Sequence, residues 1–183
     1  MPKALVLIAD GSEEIEAVTV VDVLRRADVN VTLAAVKDNL QVHCSRHVVI
    51  LADELLANIP DASAMFDAII IPGGINGAKI LSNRVLMEFE NSNKWIAAMC
   101  AGPTVLHAAD IGKGKRATSY PLFKSRVEGH FEYQEEDVVV HGKLITSRGP
   151  ATAMLWAVII AKELCGVEKA KEVSMQMLFK TPW

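Results

Sequence analysis

The feature of this sequence that most restricts its fold is a series of short, mostly apolar runs that indicate strands. Four of these runs are Lys3–Ala9, Asn30–Val36, Asp67–Ile71 and Lys94–Met99. Continuous apolar runs of this length are typical of strands that are buried on both faces. Hydrophobic residues make up 51% of the chain and aromatic residues only 5%, so the expected core is aliphatic. The sequence therefore predicts a parallel sheet that is covered by helices on both sides.

Helical patterns alternate with the strands. Glu13–Ala27 carries an approximate apolar stripe with acidic residues in its first turn and arginines in its last, as the helix dipole favours. Further helices are expected from the turn after Cys100 to about Ala109, over Ala151–Leu164 and over Glu168–Leu178. Paired extended segments are expected at Val42–Leu51 and, through a turn at His141-Gly142, at Val138–Val140 with Leu144–Ser147. We predict an α/β fold in which helices sandwich a flavodoxin-like, doubly wound, mostly parallel sheet, with residues 1–183 forming one domain.

Composition and charge argue against several classes of protein. The net charge is −3 and no basic block is present, so nucleic-acid binding is not expected. No stretch approaches the roughly 20 apolar residues of a membrane span, and the apolar run Ala4–Ala9 is too short for a secretion signal. The three cysteines are odd in number and widely spaced, which indicates reduced thiols. We expect a cytoplasmic protein, with the nucleus or mitochondrion left open for a eukaryotic source.

Motifs for metals and phosphates are missing from the sequence. It contains no HExxH, no CxxC and no glycine-rich phosphate loop, so we expect neither a metal nor an organic cofactor. His107 is the histidine nearest to Cys100 along the expected helix. At seven residues' distance, the helical rise places it roughly 10 Å away, too far for a hydrogen bond. The other two cysteines, Cys44 and Cys165, are expected to be structural.

Cys100 has the most distinctive surroundings of the three cysteines. It follows a buried strand and precedes Ala101-Gly102-Pro103 and a helix, an arrangement typical of a nucleophile elbow. The helix N-terminus is expected to stabilise the thiolate and so to lower the pKa of the thiol. Backbone N–H groups of this turn and of Gly73-Gly74 could hold an oxyanion. The alternative is that Cys100 is a small core residue, but the combination of the two turns favours a nucleophile.

Three acidic residues after the first strand, Glu13, Glu14 and Glu16, leave two interpretations open. Glu16 faces inward if Val20 and Leu24, one and two turns further on, face the core. A carboxyl group beside a thiolate would keep its proton, because two adjacent anions are costly, and it could donate a hydrogen bond to sulfur or shuttle a proton. In the other interpretation all three glutamates are solvated and only complement the helix dipole, and spacing alone favours this one.

Taken together, five ordered segments resemble the ThiJ/PfpI superfamily, in particular its branch that includes the Parkinson-disease protein DJ-one and bacterial YajL. The segments are Ala9–Glu16, Cys44–Arg46, Ile71–Gly74, Ala97–Pro103 and Thr146–Pro150. The resemblance implies a flavodoxin-like homodimer in which Cys100 is the nucleophile and redox-sensitive thiol. It makes Glu16 the protonated partner of that thiol, and Gly74 and Ala101 the donors of an oxyanion hole.

Other pocket residues also follow from the resemblance. Arg46, and Arg26 of the partner subunit, would favour an anion near the pocket. Tyr120 stands where many relatives have histidine, and tyrosine is a poor base near neutral pH. Ala101 stands where protease-like members place histidine, so peptidase activity is not expected. Further departures from the family pattern are Ile75 after the two glycines and Ala151 after Pro150.

The function that the resemblance implies is a cofactor-free glyoxalase, with deglycase activity on glycated adducts by the same chemistry. Cys100 would attack the aldehyde of a small 2-oxoaldehyde such as methylglyoxal, and Glu16 would move a proton between adjacent carbons before water releases a 2-hydroxy acid. The alternative is a non-enzymatic redox sensor and stress chaperone, in which oxidation of Cys100 to the sulfinate controls partner binding. A third interpretation, a hydrolase or amidotransferase subunit, is disfavoured because the sequence lacks a Cys-His pair.

Overall fold

The structure is a computed structural model that describes residues 1–74, 83–181 and 183; Ile75 lies outside these residues. The strands are β1 (Lys3–Ile8), β2 (Asn30–Ala35), β3 (Gln41–His43), β4 (Val49–Leu51), β5 (Glu54–Leu55), β6 (Ala68–Ile71), β7 (Trp95–Met99), β8 (Arg116–Ala117), β9 (Glu132–Tyr133), β10 (Val138–His141) and β11 (Leu144–Ser147). The helices are α1 (Glu14–Arg26), α2 (Ala62–Met65), α3 (Asn83–Asn91), α4 (Gly102–Ala108), α5 (Lys124–Val127), α6 (Ala153–Cys165) and α7 (Val167–Gln176), with 3-10 turns at Leu56–Asn58, Pro121–Phe123 and Pro150–Thr152.

The central sheet has seven strands in the order β10-β11-β7-β6-β1-β2-β5. All neighbouring pairs are parallel except β10 and β11, which form the expected antiparallel hairpin. The prediction of a doubly wound, mostly parallel α/β sheet is therefore confirmed. The chain order reverses between β1 and β6, and in open sheets of this kind ligands gather at the carboxyl ends of the strands beside that point.

Strand β1 explains why the aliphatic runs are continuous. Ala4, Val6 and Ile8 pack into the core cluster on the side of α1 and α6, whereas Leu5 and Leu7 pack into the cluster on the side of α3 and α4. All five side chains are fully buried. Because each face of the strand meets a helical layer, polar residues could not alternate with apolar ones without being buried as well.

Outside the central sheet, the β3–β4 hairpin packs on the turn between β1 and α1. The N–H of Gly11 donates to the carbonyl oxygen of His43 at 2.8 Å, and the N–H of Ser45 donates to that of Ser12 at 2.9 Å. The segment that contains β8, α5 and β9 packs beside β11. These two additions therefore stand over the carboxyl end of the sheet. Among the described residues, no helix is long and apolar enough to cross a membrane.

Candidate active site

Cys100 follows β7 directly and has a φ of 58°. This left-handed conformation is unusual for a residue with a side chain, and it is maintained only where surrounding contacts enforce it. Here the N–H of Cys100 donates to the carbonyl oxygen of Ser147 at 3.0 Å, and the carbonyl oxygen of Cys100 accepts the N–H of Tyr120 at 3.1 Å. The backbone of the cysteine is therefore fixed on both sides, in the geometry expected of a nucleophile elbow.

Glu16 is fully buried, and helix α1 places its carboxyl group beside the Cys100 thiol. One carboxyl oxygen, Oε2, accepts the backbone N–H of Gly73 at 2.6 Å. The other oxygen, Oε1, is buried without a hydrogen-bond partner among the described residues. A buried carboxyl oxygen in this position is best accommodated by a proton, which would allow it to donate a hydrogen bond.

The interpretation in which all three glutamates are solvated is wrong. Glu16 and Glu14 are buried, and Glu13 is partly buried. The carboxylate of Glu14 accepts the N–H of Arg46 at 2.9 Å and the hydroxyl of Ser45 at 3.0 Å, which fixes the β3–β4 hairpin on α1. Spacing alone could not reveal this, because the hairpin that covers these residues is remote in sequence.

Burial raises the pKa of the Glu16 carboxyl to about 7, against the opposing effects of the Gly73 N–H and the Cys100 thiol. Burial, and then the charge of the Glu16 carboxylate, raise the pKa of the Cys100 thiol to about 12. The expectation of a lowered pKa for Cys100 considers only the helix N-terminus, whereas burial and then the charge of Glu16 shift the pKa in the opposite direction. The two groups titrate as a coupled pair, and each favours the protonated form of the other.

Backbone N–H groups counteract part of the rise in the pKa of the Cys100 thiol. The N–H groups of Gly74 and Ala101 both hydrogen-bond to the Cys100 side chain and lower the pKa of its thiol. The close approach of the Gly73-Gly74 turn depends on a missing side chain: a Cβ on Gly73 would lie 2.5 Å from the Cβ of Cys100 and 2.7 Å from Oε2 of Glu16. Gly74 has a φ of 99°, which glycine adopts readily. The N–H groups of Gly74 and Ala101 therefore both point to the sulfur of Cys100.

A cavity of about 380 Å³ opens above the thiol. Its lining residues are Gly11, Glu13, Ser45, Arg46, Gly74, Cys100, Tyr120, Leu122, Phe123 and Pro150. Arg46 and Tyr120 are therefore brought to the site, as predicted, while Glu16 lies behind Cys100 and outside the lining. Arg26 is not brought there by its own chain: it lies in the last turn of α1 and pairs with Asp22 at 2.7 Å.

Several lining residues were missed in the sequence. Ser45 donates its hydroxyl to Glu13 at 2.8 Å, and only its place in the Cys44–Arg46 motif hints at this role. Leu122 and Phe123 come from a short 3-10 turn without any periodic signal. His107 is exposed and stacks on His130 with ring centroids 4.8 Å apart, and it is not among the residues that line the cavity.

The two remaining cysteines lie outside the cavity lining. Cys44 is buried, and burial raises the pKa of its thiol to about 11. Cys165 is the last residue of α6 and donates to the carbonyl oxygen of Ala27 at 3.5 Å. Within the described ranges, no three His, Cys, Asp or Glu side chains are placed to hold a metal ion.

The raised pKa of Glu16 gives a pH prediction for stability. The folded state holds this proton up to about pH 7, whereas the unfolded chain releases it near 4.5, so the free energy of unfolding should fall as pH rises between these values and then level off. Glu16→Gln cannot titrate at this position, so its free energy of unfolding should not fall in this way. Relative to wild type, the free energy of unfolding of the variant should rise by about 3 kcal/mol between pH 4.5 and about 7. Urea unfolding at several pH values measures the difference. A constant difference between pH 4 and 8 would contradict the buried, protonated carboxyl.

Fold and site together define an α/β protein with a cysteine at a nucleophile elbow and a buried glutamate beside it. The model of the DJ-1/PfpI family matches residues 2–163, and the chain belongs to this family. The DJ-1beta protein of Drosophila melanogaster is 42% identical over 181 residues, which cover 96% of each chain. A Schizosaccharomyces pombe protein named glutathione-independent glyoxalase DJ-1 is 33% identical and covers 94% of this chain and 96% of its own.

The fold of this chain is also similar to that of solved structures of DJ-1 proteins. The crystal structure of Drosophila DJ-1beta has a TM-score of 0.93, with 41% identity and 98% of each chain covered. An oxidised DJ-1 from Toxoplasma gondii has a TM-score of 0.91 at 35% identity, and covers 98% of this chain and 99% of its own. The structural agreement extends over nearly the whole chain and supports the resemblance found in the sequence motifs.

Proposed function

We propose that the protein is a cysteine-dependent glyoxalase that converts a 2-oxoaldehyde such as methylglyoxal to a 2-hydroxy acid without glutathione or an organic cofactor. The observation that carries the proposal is the contact between the buried Glu16 carboxyl, with a pKa of about 7, and the Cys100 thiol at the floor of the cavity. A general acid–base group works best when its pKa lies near the working pH. The name of the fission-yeast relative supports the same activity.

The geometry accounts for each step. Glu16 in its ionised form accepts the proton of the Cys100 thiol as the sulfur attacks the aldehyde carbon. The carbonyl oxygen, held by the N–H groups of Gly74 and Ala101, then takes this proton from Glu16 and becomes the hydroxyl of a hemithioacetal. Glu16 then removes the proton from the carbon bonded to sulfur and returns it to the neighbouring carbon. The hydroxyl proton of the first carbon moves to the former keto oxygen, which leaves a thioester of the 2-hydroxy acid. Water hydrolyses the thioester, releasing the 2-hydroxy acid and the thiol. An early adduct of glyoxal with an amine or thiol keeps one aldehyde, which Cys100 would attack in the same first step. Loss of the amine or thiol from the neighbouring carbon then restores an aldehyde there and leaves the hemithioacetal of glyoxal, which would give deglycase activity.

Lactate formation from methylglyoxal in glutathione-free buffer tests the proposal. We expect wild type to form lactate enzymatically and Cys100→Ser to be slower by at least about 10³-fold, since a serine hydroxyl is a far weaker nucleophile. Cys165→Ser is the matched control, because Cys165 lies outside the cavity, and it should keep the wild-type rate. Equal rates in wild type and Cys100→Ser, or no lactate above buffer, would refute the enzyme.

A redox sensor and stress chaperone is the second candidate, and it rests on the donors around sulfur. A protonated Glu16 and the N–H groups of Gly74 and Ala101 are placed to hold the oxygens of a sulfinate. Of the three cysteines, Cys100 lines the cavity, and these donors would stabilise its sulfinate. Despite the raised pKa of the Cys100 thiol, mild peroxide should therefore oxidise Cys100 before Cys44, which is buried, and before Cys165. Peptide mass spectrometry after a peroxide titration measures the order. Oxidation of Cys44 or Cys165 first would count against this role.

We also propose a cytoplasmic homodimer. Apolar side chains are exposed together on α1, at Ile15 and Val18, and on the hairpin that packs against it, at Val49 and Leu51. A second copy that covers this surface would bury these side chains and could bring Arg26 of the partner subunit towards the pocket. Sedimentation at micromolar concentration would report a mass of twice the 19.9 kDa chain.

A further inference from the structure

The cavity above Cys100 is large for the substrate named above. Methylglyoxal carries a single methyl group on its keto carbon, whereas the cavity measures about 380 Å³. Cavities of roughly 300–1,000 Å³ hold ligands of drug size. Leu122 and Phe123 line the cavity together with Tyr120, so part of its wall is apolar. The site therefore has room for a substituent larger than methyl.

A second depression of about 250 Å³ adjoins the cavity, since Tyr120 and Pro150 line both. We call this depression the side groove, and its lining residues are Tyr120, Pro121, Asp137, Arg148, Gly149, Pro150, Ala151 and Thr152. The faces of proline and tyrosine rings are flat and apolar, and they pack well against another ring. The side groove and the substrate cavity thus lie side by side, with Tyr120 and Pro150 as their common wall.

Tyr120 stands at the border between the two spaces, and its position is fixed. Its backbone N–H donates to the carbonyl oxygen of Cys100 at 3.1 Å. Its ring lies on the backbone of Gly149, where an added Cβ would be 3.2 Å from Cδ2 of the ring. The ring also lies beside Phe123, with centroids 6.3 Å apart. When a substrate is bonded to the sulfur of Cys100, a substituent that extends past the ring of Tyr120 would enter the side groove.

Charges at the outer end of the side groove indicate what it would accept. The guanidinium of Arg148 is paired with Glu135 at 3.2 Å. Thr152 is hydrogen-bonded through its hydroxyl to Ser147 at 2.6 Å and to the N–H of Gly149 at 3.1 Å. The exposed carboxylate of Asp137 adds a negative charge at the rim. An uncharged, apolar group suits these surroundings, and an anionic group does not.

We propose that the side groove is a subsite for the substituent on the keto carbon, so that the enzyme prefers 2-oxoaldehydes with an aromatic or branched alkyl group over methylglyoxal. This inference rests on the proposed glyoxalase function and adds the class of substrate. It assigns Tyr120 the role of a specificity-determining wall between the reacting carbon and the side groove. The role requires the ring of Tyr120 and not its acid–base chemistry.

Turnover of phenylglyoxal and methylglyoxal by wild type and Ala151→Trp tests the subsite. In wild type the ratio of kcat/KM for phenylglyoxal to that for methylglyoxal should be about tenfold or more, from the added apolar contact. Because the two aldehydes also differ in reactivity, the decisive result is the change of this ratio in the variant. Ala151 is exposed and lines the side groove, so a tryptophan there should fill the groove and lower the ratio about tenfold. Ala57→Trp, at an exposed position in the 3-10 turn Leu56–Asn58, should leave the ratio unchanged.

Binding of the products separates this inference from the proposed function, since it needs no turnover. Mandelate, the product expected from phenylglyoxal, should bind wild type about tenfold more tightly than lactate, and Ala151→Trp should remove this preference. Calorimetry measures both affinities. Equal affinities for mandelate and lactate, or a kcat/KM ratio that Ala151→Trp does not change, would overturn the subsite. Failure of both aldehydes to react while mandelate keeps its preference would refute the glyoxalase and support the subsite.

Discussion

Glu16→Gln is expected to lower kcat for lactate formation from methylglyoxal by about 10³-fold, within the range of 10²–10⁴ typical of a lost acid–base group. The amide has nearly the same size and its oxygen can still accept the N–H of Gly73, so the packing around position 16 is kept. What is lost is the exchangeable proton between Glu16 and Cys100. Because Glu16 lies outside the cavity lining, KM should change little.

Glu14→Gln is the matched control for this experiment. Glu14 is also buried and lies on the same helix, but its carboxylate faces the β3–β4 hairpin through Ser45 and Arg46. We expect kcat of Glu14→Gln to stay within about threefold of the wild-type value, since this substitution removes no proton donor or acceptor beside the Cys100 thiol. If Glu16→Gln kept a tenth or more of the wild-type kcat, the proton shuttle would have to be assigned elsewhere.

Gly74→Ala is expected to lower the free energy of unfolding by about 3 kcal/mol or more, in the range of severe single substitutions. A Cβ on Gly74 would lie 2.1 Å from the carbonyl oxygen of Gly11 and 2.8 Å from the N–H nitrogen of Glu13. Both are backbone atoms and cannot rotate away. The β1–α1 turn would have to move, and it carries residues that face the cavity, so activity should fall together with stability.

Gly114→Ala is a control that separates two effects of Gly74→Ala, the clash of the added Cβ and the free-energy cost of a positive φ in alanine. Gly114 also has a positive φ, 74°, but an added Cβ would meet no atom within 4 Å. This control should therefore show only the conformational cost, about 1–2 kcal/mol. Thermal unfolding compares the two variants, and we expect Gly74→Ala to melt well below Gly114→Ala. Equal melting temperatures would mean that the turns at Gly11 and Gly74 are not packed as described.

The sheet could be predicted from the sequence because its strands are long aliphatic runs whose two faces meet helical layers. Two-residue strands such as β5, β8 and β9 are too short to give a periodic signal. The helices α2 and α3 were also not anticipated. The turn at Cys100 was recognisable because small residues follow a buried strand, and the structure places it as expected.

The electrostatics of the site could not be predicted in the same way. The pKa of Cys100 depends on burial by Gly73 and on the charge of Glu16, which come from distant parts of the chain. Spacing favours a solvated Glu16, whereas burial in the folded chain raises the pKa of its carboxyl to about 7. Leu122 and Phe123 enter the cavity from an irregular segment, so only the three-dimensional structure reveals the apolar wall.

The backbone hydrogen bonds of Cys100 have a consequence for protein synthesis. Its N–H is bonded to Ser147 and its carbonyl oxygen to Tyr120, and both partners follow Cys100 in the chain. While the ribosome has completed only the segment up to Cys100, neither bond can exist, and the strained conformation of the cysteine has no support. The nucleophile is therefore positioned only after β11 has emerged and paired with β7, so the nascent chain carries an ordinary thiol until its fold is nearly complete.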